Sequence, residues 1–351
     1  MKRIIYSIIS IIGISLLMMV LRNFLHLTPQ IIVNFLEQIL NPVVSFLAFL
    51  FLGGDYEIFG KIRNTNIFGL PILVAWLIIG GVFFTLKLRF VNIRLFKHAT
   101  DVARGRYAEP NAPGNITQLQ ALFTAIAATV GVGNIAGVAI AISIGGPGAV
   151  IWMMIAAFFA MSMKCAEVTL GQKYRHFDKN GNVLAGTFYY LEEGLKEKNL
   201  PRLGKVLAVI SAILCIGGTI GAGMMVQANQ SVSIISDSFG FNDEAKFILV
   251  IIITISVGII LIGGITRIAK ISEKVVPSMA IIYVLSCIII LFNHHDKLID
   301  AISLMFSSAF TQNAAYGGVI GAIIQGIKRS AFSNEAGMGT AAIAHAAGKT
   351  K

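Results

Sequence analysis

"LFTAIAATVGVGNIAGVAIAISIGGPG", residues 122–148, is an apolar run long enough to cross a bilayer, interrupted near its middle by Gly131, Gly133, Asn134 and Gly137. A membrane helix needs roughly 20 consecutive apolar residues. Each of these four residues weakens a helix, glycine by about 1 kcal/mol relative to alanine. Hydrocarbon offers no water to the N–H and C=O groups that such residues free. Non-helical backbone is tolerated there only where it is buried in protein or lines a cavity. The breakers therefore predict a discontinuous membrane helix whose freed backbone faces a ligand. A plainer reading is that Gly133 and Gly137 form a G-x-x-x-G surface for close helix packing.

The rest of the chain agrees with a membrane setting. Of 351 residues, 56% are hydrophobic and only 13% charged, against about 25% charged in soluble domains. The net charge of +11 does not indicate nucleic acid, because the basic residues flank apolar runs as the positive-inside rule expects. Cys165, Cys215 and Cys287 lie in or beside apolar runs without metal or redox spacing and read as small core residues. No phosphate loop, metal motif or nucleophile elbow is present, which excludes the common enzyme classes and any bound cofactor.

Apolar runs occur at 4–21, 31–52, 67–86, 118–142, 148–165, 205–233, 246–264, 275–292 and 315–345. Residues 1–66 read as a separate N-terminal part. The run at 4–21 fits a retained anchor and a cleaved signal equally well. The run at 31–52 is broken by Asn34, Glu37, Gln38, Asn41 and Pro42 and reads as an interfacial segment. From 67 to 351 the chain reads as one transmembrane domain. Basic loops at 87–106, 164–179 and 267–274 are expected on the cytoplasmic side, and 145–148, 237–246 and 293–297 on the other.

Four blocks carry a family resemblance: "TLKLRFVNIRLFKHA" (85–99), "TQLQALFTAIAATVGVGNIAGVAIAISIGGPGAVIWMMI" (117–155), "AEVTLGQKYR" (166–175) and "IKRSAFSNEAGMGTAAIAHAAG" (327–348). With these the chain resembles the alanine or glycine:cation symporter family, the sodium:alanine symporters. The resemblance implies an all-α polytopic membrane protein of the inverted-repeat, LeuT-like type, with five helices followed by five more. It implies a first broken helix at 118–142, interrupted at 131–134, and a sixth at 315–345, interrupted at "SNEAGMG" (333–339). Most of the second repeat is then missing, because the chain ends at Lys351. Three positions depart from the family pattern: "AGTFYY" (185–190), Trp152-Met153-Met154 and Gly223-Met224.

The implied activity is sodium-coupled symport of a small neutral amino acid, alanine or glycine, across the inner membrane. Na⁺ is a transported ion there and no cofactor is needed. Such folds hold substrate near the midplane between discontinuous helices, with half-helix N-termini facing the carboxylate. The expected substrate contacts are Thr129, Gly131, Val132, Gly133, Asn134, Glu335 and Gly337. The expected cation contacts are Thr129, Asn134, Ser333 and Asn334. Glu335 is an ionisable group in an apolar run, which marks function by default. It could equally bridge to Lys328 or Arg329. Glu167 reads as an ion pair with Lys164, one helical turn away. Gln227 and Asn229 fit a substrate path or helix-to-helix hydrogen bonds. The alternatives to an active symporter are a truncated, inactive remnant and one half of a transporter whose C-terminal half is separately encoded.

Overall fold

A capping box starts the decisive helix. Thr117 Oγ1 accepts from the Gln120 amide, and Gln120 Oε1 accepts from the Thr117 amide, both at 3.1 Å. The computed structural model describes residues 55–58, 61–64, 66–67, 70–109, 111–219, 225–310 and 318–350. The expectations for 4–21 and 31–52, and most of those for 1–66, lie outside the described residues. Two short hairpins come first: β1 (Asp55–Ile58) with β2 (Lys61–Asn64), and β3 (Asn66–Ile67) with β4 (Leu70–Pro71). Fourteen helices follow among the described residues. They are α1 (Ile72–Lys87), α2 (Val91–Arg94), α3 (Phe96–Ala103), α4 (Gln118–Thr129), α5 (Val132–Gly145), α6 (Ala149–Lys173) and α7 (Thr187–Glu197). Then come α8 (Pro201–Gly218), α9 (Val226–Phe239), α10 (Asp243–Leu261), α11 (Gly264–Asn293), α12 (Leu298–Phe310), α13 (Gly318–Asn334) and α14 (Thr340–Ala346). A third hairpin, β5 (His176–Phe177) with β6 (Val183–Leu184), separates α6 from α7.

Trp76–Ser233 and Ile265–Lys351 form one compact unit, while Ile234–Gly264 clusters with the chain preceding Trp76. Every candidate site residue lies in the first of these units. Its interior is built from small side chains. Ala121, Ala141, Ala149, Ala269, Ala342 and Ala346 are buried. Large apolar residues point outward instead, among them Trp76, Phe83, Ile281, Leu285 and Phe292. That inversion suits lipid as solvent: tails cover the large groups, and alanine lets backbones approach. Among the described residues, five segments are long and apolar enough to cross a membrane: Gln118–Gly145, Ala149–Lys173, Pro201–Gly218, Asp243–Leu261 and Gly264–Asn293. The chain is a helical, polytopic membrane protein.

Two discontinuous helices lie side by side. The α4–α5 pair meets the α13–α14 pair in opposite chain directions. The Asn115 amide donates to Ala347 O, and Lys349 N donates to Ile116 O. Higher up, a Cβ on Gly133 would lie 3.7 Å from Phe332 O, and one on Gly145 would lie 2.8 Å from Gln325 Cβ. As the first pair ascends in number, the second descends.

Continuous α6 runs alongside α13–α14 in the same chain direction, from Gly326 against Ala149 to the end of α14. Ser330 Oγ donates to Met153 O at 3.1 Å. Gly171 sits against Ala342, and Gln172 Nε2 donates to His345 O. Arg175 Nη1 donates to Ala346 O at 3.0 Å and Gly348 O at 2.9 Å. Partial burial lowers the proton affinity of that guanidinium, from an ordinary value high enough that it stays charged. At the other end the Trp152 indole donates to Ala309 O at 3.0 Å, fastening α12 to α6.

Several sequence expectations change. Within the run expected at 205–233, α8 is described as far as Gly218 and α9 from Val226, and residues 220–224 between them lie outside the described residues. The expected loop at 267–274 is the start of α11, which carries Arg267, Lys270 and Lys274 on a 30-residue helix. That helix is about 45 Å long at 1.5 Å per residue, so its basic first turns extend past a hydrocarbon core of about 30 Å. The expected loop at 164–179 is largely helical too, because α6 continues to Lys173. Helices α7 and α12 were not foreseen, being too short to register as spans.

A Cβ on Gly171 would meet Ala342 Cβ at 2.9 Å and its carbonyl oxygen at 3.0 Å. Gly171→Leu is expected to destabilise the purified protein by about 1–3 kcal/mol, as overpacking does. A thermal melt in detergent checks this.

Candidate transport site

The first break is two residues wide. Helix α4 ends at Thr129 and α5 begins at Val132, so Val130 and Gly131 link them. This is narrower than the expected 131–134, since Val132, Gly133 and Asn134 already belong to α5. Asn134 explains why. Its Oδ1 accepts from the Gly131 amide at 3.2 Å, and its own amide donates to Gly131 O at 3.0 Å. These two bonds cap α5 locally. The first helical amides, those of Val132 and Gly133, have no carbonyl one turn earlier in their own helix. They open α5, a helix of 14 residues, whose N-terminus favours an anion. Thr129 spends its hydroxyl proton on Ala125 O at 2.9 Å, which leaves the oxygen lone pairs for a cation.

The second break spans residues 335–339, between α13 and α14. Ser333 and Asn334, expected inside it, are the last residues of α13. Asn334 is committed to the turn: Oδ1 accepts from Ala336 N at 2.9 Å, and Nδ2 donates to Ser330 Oγ at 3.3 Å. Glu335 sits in the left-handed region at φ 52°, an uncommon place for a residue with a Cβ. Its Oε2 accepts from Thr340 Oγ1 at 3.3 Å, a partner that neither sequence reading foresaw. Gly337 and Gly339 turn the chain at φ 82° and 85°. A Cβ on Gly339 would strike Thr187 Oγ1, the first helical residue of α7.

The helices beside the two breaks meet. Gly133 faces the Phe332–Ser333 backbone, as the fold requires, and a Cβ on Gly131 would touch the Gln227 amide group at 3.0 Å. Of the expected site residues in the first pair, Gly133 thus touches Ser333, while Gly131 meets half-buried Gln227 at the start of α9. Asn229 is exposed on α9 and does not share that contact.

Glu167 is the clearest correction. It makes no ion pair with Lys164 among the described residues. It is 5% exposed, and Oε2 accepts from the Gly337 amide at 3.0 Å. Lys164 Nζ donates to Asn334 O at 3.2 Å and Glu335 O at 3.4 Å. Both side chains reach across to a segment about half the chain away, which spacing on one helix does not reveal.

The family model of the sodium:alanine symporters matches residues 56–351. The chain belongs to that family. It is 41% identical over 288 residues to "Sodium/alanine symporter AgcS" of Methanococcus maripaludis, covering 82% of this chain and 62% of that protein. It is 35% identical over 280 residues to "Probable sodium/glutamine symporter GlnT" of Bacillus subtilis, covering 80% and 56%. A third relative, "Amino-acid carrier protein AlsT" of Bacillus subtilis, is 33% identical over 268 residues, covering 76% and 55%. The chain therefore spans between 55% and 62% of the length of these three relatives. Membership makes it a multi-pass integral membrane protein of a transporter family, not an enzyme. The matches lend no support to a separately encoded C-terminal half.

Gly339→Ala places a Cβ at positive φ and against Thr187, whereas Gly133→Ala gains only an ordinary contact at 3.7 Å. The first is expected to lose about 1–3 kcal/mol of stability, and the second about 1 kcal/mol or less. Parallel thermal melts of the two variants check the order.

Proposed function

We propose that the protein is a secondary transporter that couples the movement of a small neutral amino acid, alanine or glycine, to Na⁺. One observation carries the reading: in a member of a symporter family, the helices beside two breaks abut, Gly133 of α5 against Phe332–Ser333 of α13. A zwitterion needs an anion site and a cation-tolerant surface close together. The Val132 and Gly133 amides at the head of α5 take the carboxylate, while the Gly131 amide is held by Asn134 Oδ1 and keeps the break open beside them. The Thr129 hydroxyl, the Asn134 amide and the Ser333 hydroxyl supply oxygens for Na⁺, a hard ion. Asn334 shapes the second break and presents its neighbours, while Gly337 lets the chain turn there and Glu335 offers a negative group to the substrate ammonium. Broken helices that expose carbonyls and amides at mid-membrane suit this work.

The same proposal includes the LeuT-like inverted repeat, with α4–α5 and α13–α14 as its first and sixth helices. It also includes the division of the chain near residue 66 into an N-terminal segment and the transport domain. Alanine and glutamine occur in the names of relatives.

Proteoliposomes test it. Labelled alanine is expected to accumulate under an inward Na⁺ gradient and to be displaced by glycine. Gly133→Leu, which fills the gap against Ser333, is expected to abolish accumulation, while Gly133→Ala keeps most of it. Accumulation indifferent to Na⁺ sinks the coupling. Unchanged uptake in Gly133→Leu sinks the site. A folded, inserted chain that accumulates nothing above empty vesicles overturns the transport reading for this chain.

A further inference from the structure

The second break poses a problem that the first does not. The first is two residues wide and closes on itself through Asn134. The second leaves five residues, 335–339, between helices, with carbonyls freed on one side and amides on the other. Groups of this kind inside a membrane protein need partners from elsewhere in the fold. The partners come from one turn of α6. Lys164 Nζ donates to Asn334 O and Glu335 O, where α13 runs out of helical donors. Glu167 Oε2 accepts from Gly337 N, ahead of α14. A cation meets the carbonyls and an anion meets the amide. Hydrogen bonds with one ionised partner are roughly twice as strong as neutral ones.

We infer that Lys164 and Glu167 are positioning residues: a polarity-matched clamp on α6 that fixes the spacing between the end of α13 and the start of α14. The clamp sets where Ser333 stands relative to Gly133. Only its consequence for transport rests on the function proposed above. The clamp itself is a statement about backbone groups. It also explains why the two side chains, three residues apart on one helix, do not pair with each other: each is spent on the break. Gly337 adds a steric constraint, since a Cβ there would meet Leu77 Cδ2 at 2.9 Å. The segment is thus held from two sides.

The arrangement has a signature that an ion pair lacks. An ion pair survives exchange of its members. A clamp does not: a carboxylate at 164 faces carbonyls, acceptor against acceptor, and an ammonium at 167 faces an N–H, donor against donor. The readout is the rate at which a small thiol reagent labels Ser333→Cys in protein whose Cys165, Cys215 and Cys287 are serine. It needs neither Na⁺ nor amino acid. Glu167→Leu and Lys164→Met are each expected to raise the rate on the order of tenfold, the effect of losing one charged hydrogen bond. Glu167→Gln keeps an acceptor and is expected to stay near the parent rate. The exchanged protein, Lys164→Glu with Glu167→Lys, is expected to label at least as fast as either single variant. Thermal melts identify which variants fold. Should Lys164→Met not fold, Lys164→Gln, which retains a donor, is expected to give an intermediate rate. An exchanged protein that labels at the parent rate overturns the clamp in favour of an ion pair. Unchanged labelling in both single variants overturns it outright. A parent protein that transports nothing yet shows this labelling pattern removes the proposed function and leaves the clamp standing.

Discussion

Every freed backbone group in hydrocarbon has to find a partner inside the protein, and this fold is arranged around meeting that demand twice. At the first break the solution is local. Asn134 folds back onto Gly131, so the helix restarts after two residues. At the second it is tertiary. Continuous α6 lies along both α13 and α14 and supplies Ser330 with a carbonyl, the break with Lys164 and Glu167, and the end of α14 with Gln172 and Arg175. A straight helix serves as the splint for a broken one.

Alanine makes such contact feasible. Between α6 and α14 the interface is Gly171 on Ala342, and around the α4 start it is Ala121, Ile116 and Ala347. Small side chains bring backbones close enough for side chains of ordinary length to reach across. They also leave the large apolar residues to face outward, where lipid tails solvate them as well as a protein interior would.

Much of this was legible in the chain. The broken run at 122–148 and the glycines of 333–339 announce two interrupted helices because helix breakers are costly and apolar runs are conspicuous. The exact edges were less legible, since Asn134 both weakens a helix interior and caps a helix start, and the structure uses it as a cap. Helices α7 and α12 fall below the length that marks a span. What local pattern could not disclose was the destination of Lys164 and Glu167. Their spacing matches an ion pair on one helix face, and their actual partners lie 170 residues distant in sequence. The meeting of Gly133 with Ser333 was implied only through resemblance, because nothing in either segment names the other.

The unequal repair of the two breaks makes their mechanics unequal. Helices α13 and α14 are each bonded to the same rigid rod, so tilting one without the other tears bonds to α6. Helices α4 and α5 share no such rod. Their junction is Val130 and Gly131, closed by the Asn134 hydrogen bonds with Gln227 packed beside it. Of the two paired discontinuous helices, one behaves as a fixed post and the other as a jointed arm, and the joint lies at Gly131.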